Sequence, residues 1–204
     1  TTQEGKTFCS ANLALSFALA KKKTILVGLD IRRPQVRKYF SLSTSRGVVT
    51  YLSGKESDLS SLIVPSGMSE YLDLLPAGPT PPNPNELLMN SALGDVFDYL
   101  RERYDYIIVD TAPVGMVSDT FLITPYADLN VYVMRAKYSS KKYIEALENL
   151  VREDRLRNLY ILVNAVDIKS KVYGYKRYGY GYGYGYKNKY GYGYGYGYGE
   201  QYNQ

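Results

Sequence analysis

A single cysteine, Cys9, and no histidine or tryptophan stand among the 204 residues. One thiol cannot build an internal disulfide framework. Without histidine there is no Ser-His-Asp triad, no histidine-ligated zinc and no histidine general base. No apolar run reaches the roughly 18–20 residues that a membrane-crossing helix needs. The opening Thr1-Thr2-Gln3-Glu4-Gly5-Lys6 has neither the apolar core nor the cleavage site of a secretory leader. The chain is therefore expected neither to cross nor to enter a membrane by itself.

Excess charge is also scarce over most of the length. Residues 171–204 hold five basic groups (Lys171, Lys176, Arg177, Lys187, Lys189) and one acid, Glu200. The other 170 residues carry 20 basic and 19 acidic groups, so the overall net charge of +5 belongs mostly to the C-terminal stretch. A nearly neutral body argues against a nucleic-acid-binding face, and no nucleic-acid partner is expected.

Tyrosine divides the chain at the same place. Thirteen of the 24 tyrosines are Tyr173, Tyr175, Tyr178, Tyr180, Tyr182, Tyr184, Tyr186, Tyr190, Tyr192, Tyr194, Tyr196, Tyr198 and Tyr202, most of them alternating with glycine. Ten glycines make ordering entropically costly, and no aliphatic residue follows Val172 to build a core. Residues 173–204 are read as a disordered tail, and residues 1–172 as the folded domain.

In that domain, strands alternate with helices. A helix opens after Lys6, with a broad apolar surface from Phe8 to Leu19, and ends at Lys21-Lys22-Lys23. Residues 24–30 read as a buried parallel strand ending in Asp30, and a helix can begin near Pro34. Residues 71–75 form a second strand, and the proline-rich residues 78–84 a stiff surface loop. Residues 86–103 are helical, and 106–110 form a third strand, ending in Asp110. Residues 129–135 and 159–163 are further strands around a helix over 140–152. This order implies a parallel sheet with helices on both faces and ligands at the carboxyl ends of the strands, where Asp30 and Asp110 fall.

Gly5-Lys6-Thr7, opening the first helix, matches the end of a phosphate-binding loop. In such loops the helix N-terminus faces the phosphates, the lysine reaches the β and γ oxygens, and the hydroxyl ligates Mg²⁺. The first glycine of the full pattern would fall one residue before Thr1. The sequence thus enters the motif part-way, and the strand leading into it is expected to be missing. A magnesium nucleotide site also needs an acid at the end of an apolar strand, which Asp110 and Asp30 provide. The fold class is α/β, P-loop NTPase-like, with a mostly parallel sheet.

Gly5-Lys6-Thr7, Leu29-Asp30-Ile31-Arg32-Arg33-Pro34 and Ile107-Ile108-Val109-Asp110-Thr111-Ala112-Pro113 resemble the Walker A, A′ and B motifs of the bacterial tyrosine kinases. Leu75-Pro76-Ala77-Gly78 through Pro81-Pro82-Asn83-Pro84-Asn85-Glu86-Leu87-Leu88 resembles a loop-plus-helix signature of that family. The resemblance implies a cytoplasmic autokinase that uses ATP and Mg²⁺ and phosphorylates its C-terminal tyrosine cluster, in trans within a ring-shaped homo-oligomer. It also implies control of capsular or extracellular polysaccharide export beside a membrane-embedded co-polymerase, fused or separate, on the inner membrane, with a tyrosine phosphatase as counterpart. By the same resemblance Lys6 contacts the phosphates, Thr7, Asp30 and Asp110 organise Mg²⁺, Arg32 ends the A′ motif and is catalytic together with Lys6, Asp30 and Asp110, and Asn164 faces the adenine. One departure stands out: the A′ motif usually reads D-x-D-x-R, and Gly28 replaces its first acid.

Two rival readings come from other classes. Positioning and partitioning ATPases carry a signature lysine where this chain has Thr1. A Tyr/Gly segment with interspersed cations can instead self-associate or contact RNA through stacking. Tyr39, Tyr51, Tyr99 and Tyr104 are expected as partly buried core or helix-flank aromatics, and Cys9 as a small buried hydrophobe.

Overall fold

The apolar run at residues 24–30 becomes β1 (Thr24–Gly28), and all five of its residues are buried. The computed structural model describes residues 3–113 and 119–167, so the thirteen tail tyrosines lie outside the described residues. β1 runs parallel to β3 (Leu72–Leu75) on one side and β4 (Tyr106–Asp110) on the other. Leu26 lies opposite both Leu74 and Ile108. A two-residue strand, β2 (Val64–Pro65), pairs antiparallel with β3 and closes the order β2-β3-β1-β4. Pro65 is tolerated there because an edge strand does not need its missing N–H.

Side-chain alternation sends the two faces of this sheet into different cores. Leu26, Leu72 and Leu74 pack on α1 (Lys6–Leu19) through Ala11, Ala14 and Ala18. These small residues let the helix approach the sheet closely. Ile25, Val27 and Leu75 face Val48, Val49 and Leu52 of α3 (Val48–Leu52), and Val96, Phe97 and Leu100 of α5 (Ala92–Arg101). Each large aliphatic side chain fully buried here contributes about 1.5–3 kcal/mol.

The single helix expected over residues 86–103 is two helices, α4 (Pro84–Leu88) and α5. Asn90 causes the break. Its Oδ1 accepts the Ala92 N–H at 3.0 Å and its Nδ2 donates to the Leu52 carbonyl at 3.3 Å, so the side chain starts α5 and pins the break to α3. The strands match their expected positions within a residue or two. Asp110 ends β4, whereas Asp30 lies two residues beyond β1. α2 (Val36–Tyr39) begins two residues after Pro34. β2, α3 and a 3-10 turn over Leu59–Leu62 carried no pattern long enough to read.

The remaining strands, β5 (Asn130–Arg135) and β6 (Leu159–Asn164), form a separate parallel pair. α6 (Asp119–Ile123) precedes them, and α7 (Lys142–Arg152) crosses between them. Leu147 of α7 packs with Tyr132, Met134 and Leu156. The one sheet expected is thus in two pieces. Among the described residues, those ahead of α1 form no strand, and β4 keeps an unpaired outer edge.

Tyr51, Tyr99 and Tyr104 are half-buried, as expected. Tyr39 is the helix-flank case: it ends the short surface helix α2 and is exposed. Cys9 is half-buried rather than fully buried. No described helix is long and apolar enough to cross a membrane.

Candidate active site

α1 opens directly on the phosphate-loop residues. Gly5 precedes it with φ 89°, a left-handed conformation that glycine adopts without strain. A Cβ on Gly5 would fall 2.3 Å from Asn164 Nδ2, which Asn164's approach from the end of β6 forbids. No side chain caps the helix and its first turn carries no acid, so the N-terminal dipole favours an anion.

Thr7 and the strand-end acid meet across the sheet. Thr7 Oγ1 donates to Asp110 Oδ2 at 2.7 Å, although the two residues are 103 positions apart. The peptide N–H groups of Leu29 and Asp30 both donate to the Asp110 carbonyl, at 2.8 and 2.9 Å, which brings the A′ loop to the end of β4. Asp30 Oδ1 accepts the Arg33 N–H at 3.0 Å, so the loop folds around its own carboxylate.

Burial raises the Asp110 carboxyl above its usual range; the Thr7 hydroxyl opposes this, and the charge of Asp30 adds to it. Asp30 is raised too, by burial, against the lowering effect of the Arg33 and Arg32 backbone N–H groups and the nearby Lys6 charge. One buried and one half-buried carboxylate, each with its charged form disfavoured by desolvation and both close to a lysine, suit a cation and a polyphosphate.

Glu4 was not singled out from sequence, yet it organises the loop. It is almost fully buried; its Oε1 accepts Ser139 Oγ at 2.6 Å and its Oε2 lies 3.9 Å from Lys6 Nζ. Its carbonyl accepts Asn164 Nδ2 at 2.9 Å, and the Gln3 carbonyl accepts an Arg135 N–H at 3.3 Å. The ends of β5 and β6 therefore hold the phosphate loop. Asn164 sits against Gly5, with its Oδ1 also accepting the Ala165 N–H at 2.8 Å. A lone glutamate ahead of Gly-Lys carries no spacing signal that would have found this role.

The structure thus gathers Gly5, Lys6, Thr7, Asp30 and Asp110, with Asn164 beside the loop. Arg32 points elsewhere. Its fork engages Asp119, which the sequence did not mark, and Asn85, which lies in the loop-plus-helix signature. Gly28 sits opposite Asp110 in the sheet register. A Cβ there would meet the Ala77 nitrogen at 3.2 Å and Val36 Cγ2 at 3.3 Å. The space that a first A′ acid needs is filled by Val36 and by the Ala77 backbone.

A left-handed glycine, a lysine and a hydroxyl at an uncapped helix start, facing strand-end carboxylates, define a P-loop nucleotide-binding protein. Residues 4–161 match the family model described as an AAA domain. Tyrosine-protein kinase CpsD of Streptococcus agalactiae is 34% identical over 178 residues, covering 86% of this chain and 77% of CpsD. The kinase domain of the Escherichia coli tyrosine kinase ETK superposes with a TM-score of 0.76 at 30% identity, over 85% of this chain and 68% of that one. The MinD cell division protein of Aquifex aeolicus, at 22% identity and a TM-score of 0.63, shares the fold alone. The chain belongs to the bacterial tyrosine-protein kinases and is a nucleotide-binding tyrosine kinase.

Proposed function

We propose that Gly5, Lys6, Thr7, Asp30 and Asp110 form the phosphoryl-transfer site, and that the acceptors are the thirteen tail tyrosines between Tyr173 and Tyr202, mainly on a neighbouring copy of the chain. The observation that carries the site is the 2.7 Å contact between Thr7 and Asp110, beside Lys6. The Thr7 hydroxyl and the Asp30 and Asp110 carboxylates are hard oxygen donors, the kind that holds Mg²⁺ together with substrate phosphates. Bound there, the ion would neutralise charge on the β and γ oxygens. Lys6 would hold the γ-phosphate, Gly5 and the α1 N-terminus would cradle the phosphates, and Asn164 would border the base.

The tyrosine oxygen then attacks the γ-phosphorus, the bond to the β-bridging oxygen breaks, and ADP leaves. Whichever of the Asp30 and Asp110 carboxylates keeps an oxygen free of the ion would take the tyrosine proton. Positioning and charge supply most of the acceleration in such transfers, so the acid missing at Gly28 is compatible with activity.

The tail supports regulation by charge. Residues 171–204 carry +4 before modification, five basic groups less one acid. Each phosphotyrosine adds about −1.5 to −2. Two or three phosphates neutralise the tail, and more make neighbouring tails repel, so the unmodified kinase is the assembled form. By family resemblance this cycle regulates polysaccharide export on the cytoplasmic side of the inner membrane, with a co-polymerase partner and a phosphatase.

The test is incubation of the full-length kinase with ATP and Mg²⁺, followed by intact-mass and peptide mass spectrometry. Phosphate on the tail tyrosines is the expected result; phosphate confined to other tyrosines overturns the acceptor assignment. Mixing a Lys6→Met protein that keeps its tail with an active protein lacking residues 173–204 tests transfer between copies. An unlabelled mutant tail rules it out.

A further inference from the structure

Arg32 joins three segments that lie far apart in sequence. Its Nε donates to Asp119 Oδ2 at 2.6 Å, and its Nη2 donates to Asp119 Oδ1 at 3.0 Å and to Asn85 Oδ1 at 2.8 Å. The Asp119 side chain is 2% exposed and that of Arg32 37%. Arg32 stands two residues past Asp30 in the A′ loop. Asp119 opens α6, whose Thr120 Oγ1 donates to the Ala112 carbonyl at 2.8 Å, two residues past Asp110. Asn85 lies in the first turn of α4. One guanidinium therefore ties the loop carrying Asp30 to the helix anchored beside Asp110.

Stability does not explain this arrangement. Solvent screens the pair at the exposed Arg32 end, and desolvation offsets the attraction at the buried Asp119 end, so its net contribution to stability is small. A two-point fork onto a carboxylate fixes angle as well as distance, which a point charge cannot do. Phosphoryl transfer is sensitive to that kind of placement, since a 1 Å error can cost about a hundredfold.

We propose that Asp119 is a positioning residue for phosphoryl transfer, acting through Arg32 to set the loop that carries Asp30 against the end of β4. Asp119 touches neither nucleotide nor tyrosine. It holds the guanidinium turned to the rim, and so the spacing of Asp30 from Asp110. The proposal rests on the site reading of Lys6, Asp30 and Asp110.

The experiment measures kcat for tail phosphorylation in the full-length kinase, with the dissociation constant of a fluorescent ADP analogue measured in parallel. Asp119→Asn keeps the shape and removes the charge, and Arg32→Lys keeps the charge and removes the fork. Each is expected to lower kcat about tenfold to a hundredfold, with nucleotide affinity unchanged. The double variant should be no slower than the slower single one, because both break one contact. Wild-type kcat in folded Asp119→Asn overturns the proposal. So does a loss that appears only as weaker nucleotide binding, or a double variant in which the two losses multiply. If Asp119→Asn fails to fold, Arg32→Lys, altered at the more exposed end of the pair, decides alone: a wild-type kcat overturns the proposal and a lowered kcat with intact nucleotide affinity supports it. A fully active Lys6→Met protein would overturn the site reading itself, whereas an inactive Lys6→Met beside a fully active Asp119→Asn overturns only the positioning role.

Discussion

Ile25-Leu26-Val27 in β1 and Ile161-Leu162-Val163 in β6 are comparably apolar, yet the first three are fully buried while the second three are 44, 36 and 49% exposed. Both strands are parallel and both pair in register over their length. The difference is in their neighbours. β1 has a strand on each side, α1 on one face and α3 and α5 on the other. Among the described residues, β6 pairs with β5 alone. An apolar run marks a strand; the number of elements around it decides how much water it loses. The chemistry follows the same division. The buried sheet ends in Asp110, with Asp30 fastened to it by two backbone hydrogen bonds. The exposed pair contributes Asn164, Arg135 and, just past β5, Ser139, which hold Gln3 and Glu4 ahead of Gly5 rather than the strand-end carboxylates.

Breaking the chemical end of the buried sheet should have the largest effect. On the proposed site, Lys6 would supply the charge nearest the migrating phosphoryl group, and Asp110, which accepts the Thr7 hydroxyl, would orient it. Loss of one such electrostatic element typically costs about 10²–10³ in rate, roughly 3–4 kcal/mol. Lys6→Met and Asp110→Asn are each expected to abolish detectable tyrosine phosphorylation with an unchanged far-UV spectrum. A folded Lys6→Met protein that labelled itself at the wild-type rate would falsify the site assignment.

The same comparison can be tested on stability. Leu26→Ala removes a side chain packed against α1, β3 and β4, and should cost about 2–5 kcal/mol. Leu162→Ala removes one already 36% exposed, and should cost less than about 1 kcal/mol. Urea denaturation of both variants gives the ratio. Equal costs would mean that β6 is covered in solution, and the contrast between the strands would fall.

A smaller effect should appear where β1 ends. Gly28→Asp restores the acid usual in the A′ motif, but its Cβ would meet Val36 and the Ala77 backbone at 3.2–3.3 Å. Overpacking of this kind costs about 1–3 kcal/mol, and the added carboxylate would lie beside Asp110. The expected outcome is a lower melting temperature with no gain in kcat. A faster enzyme of unchanged stability would show that the pocket opens to admit the acid.

Sequence periodicity reached most of the frame because long apolar runs, glycine and proline report local geometry. Gly5-Lys6-Thr7, Asp30 and Asp110 were legible for that reason, each standing at a strand end or helix start. Contacts that depend on tertiary placement were not. Asp119 fell in a stretch where the sequence marked no element, and the structure brings Arg32 onto it from 87 positions away. Glu4 reads as a loop polar group until Ser139 arrives from beyond β5. Asn90 is a small polar residue within a helical pattern, and its use as a break shows only through its bonds to Leu52 and Ala92. Gly28 was noticed as a departure, and Val36 supplies its physical cause.

The smallest effect concerns pH, and it separates function from stability in one residue. Burial raises the folded-state carboxyl of Asp110 above its ordinary value of 3.8. A group with a raised folded value binds its proton more tightly in the native state than in the unfolded chain, so the native state gains as pH falls. That gain begins as pH drops through the raised folded value and is complete below the unfolded value near 3.8. Asp30 is raised in the same direction and contributes in the same sense. Nucleotide-free kinase titrated downward through this window should therefore lose less stability to acid than a protein whose carboxylates are all paired with cations. Asp110→Asn should flatten its share of that slope and raise stability above the window, where the wild type carries the buried charge at a cost. Denaturation midpoints measured across the window in both proteins decide it. If Asp110→Asn is less stable at neutral pH and leaves the slope unchanged, the carboxylate is held ionised by its surroundings, and the strand end is less strained than its burial implies.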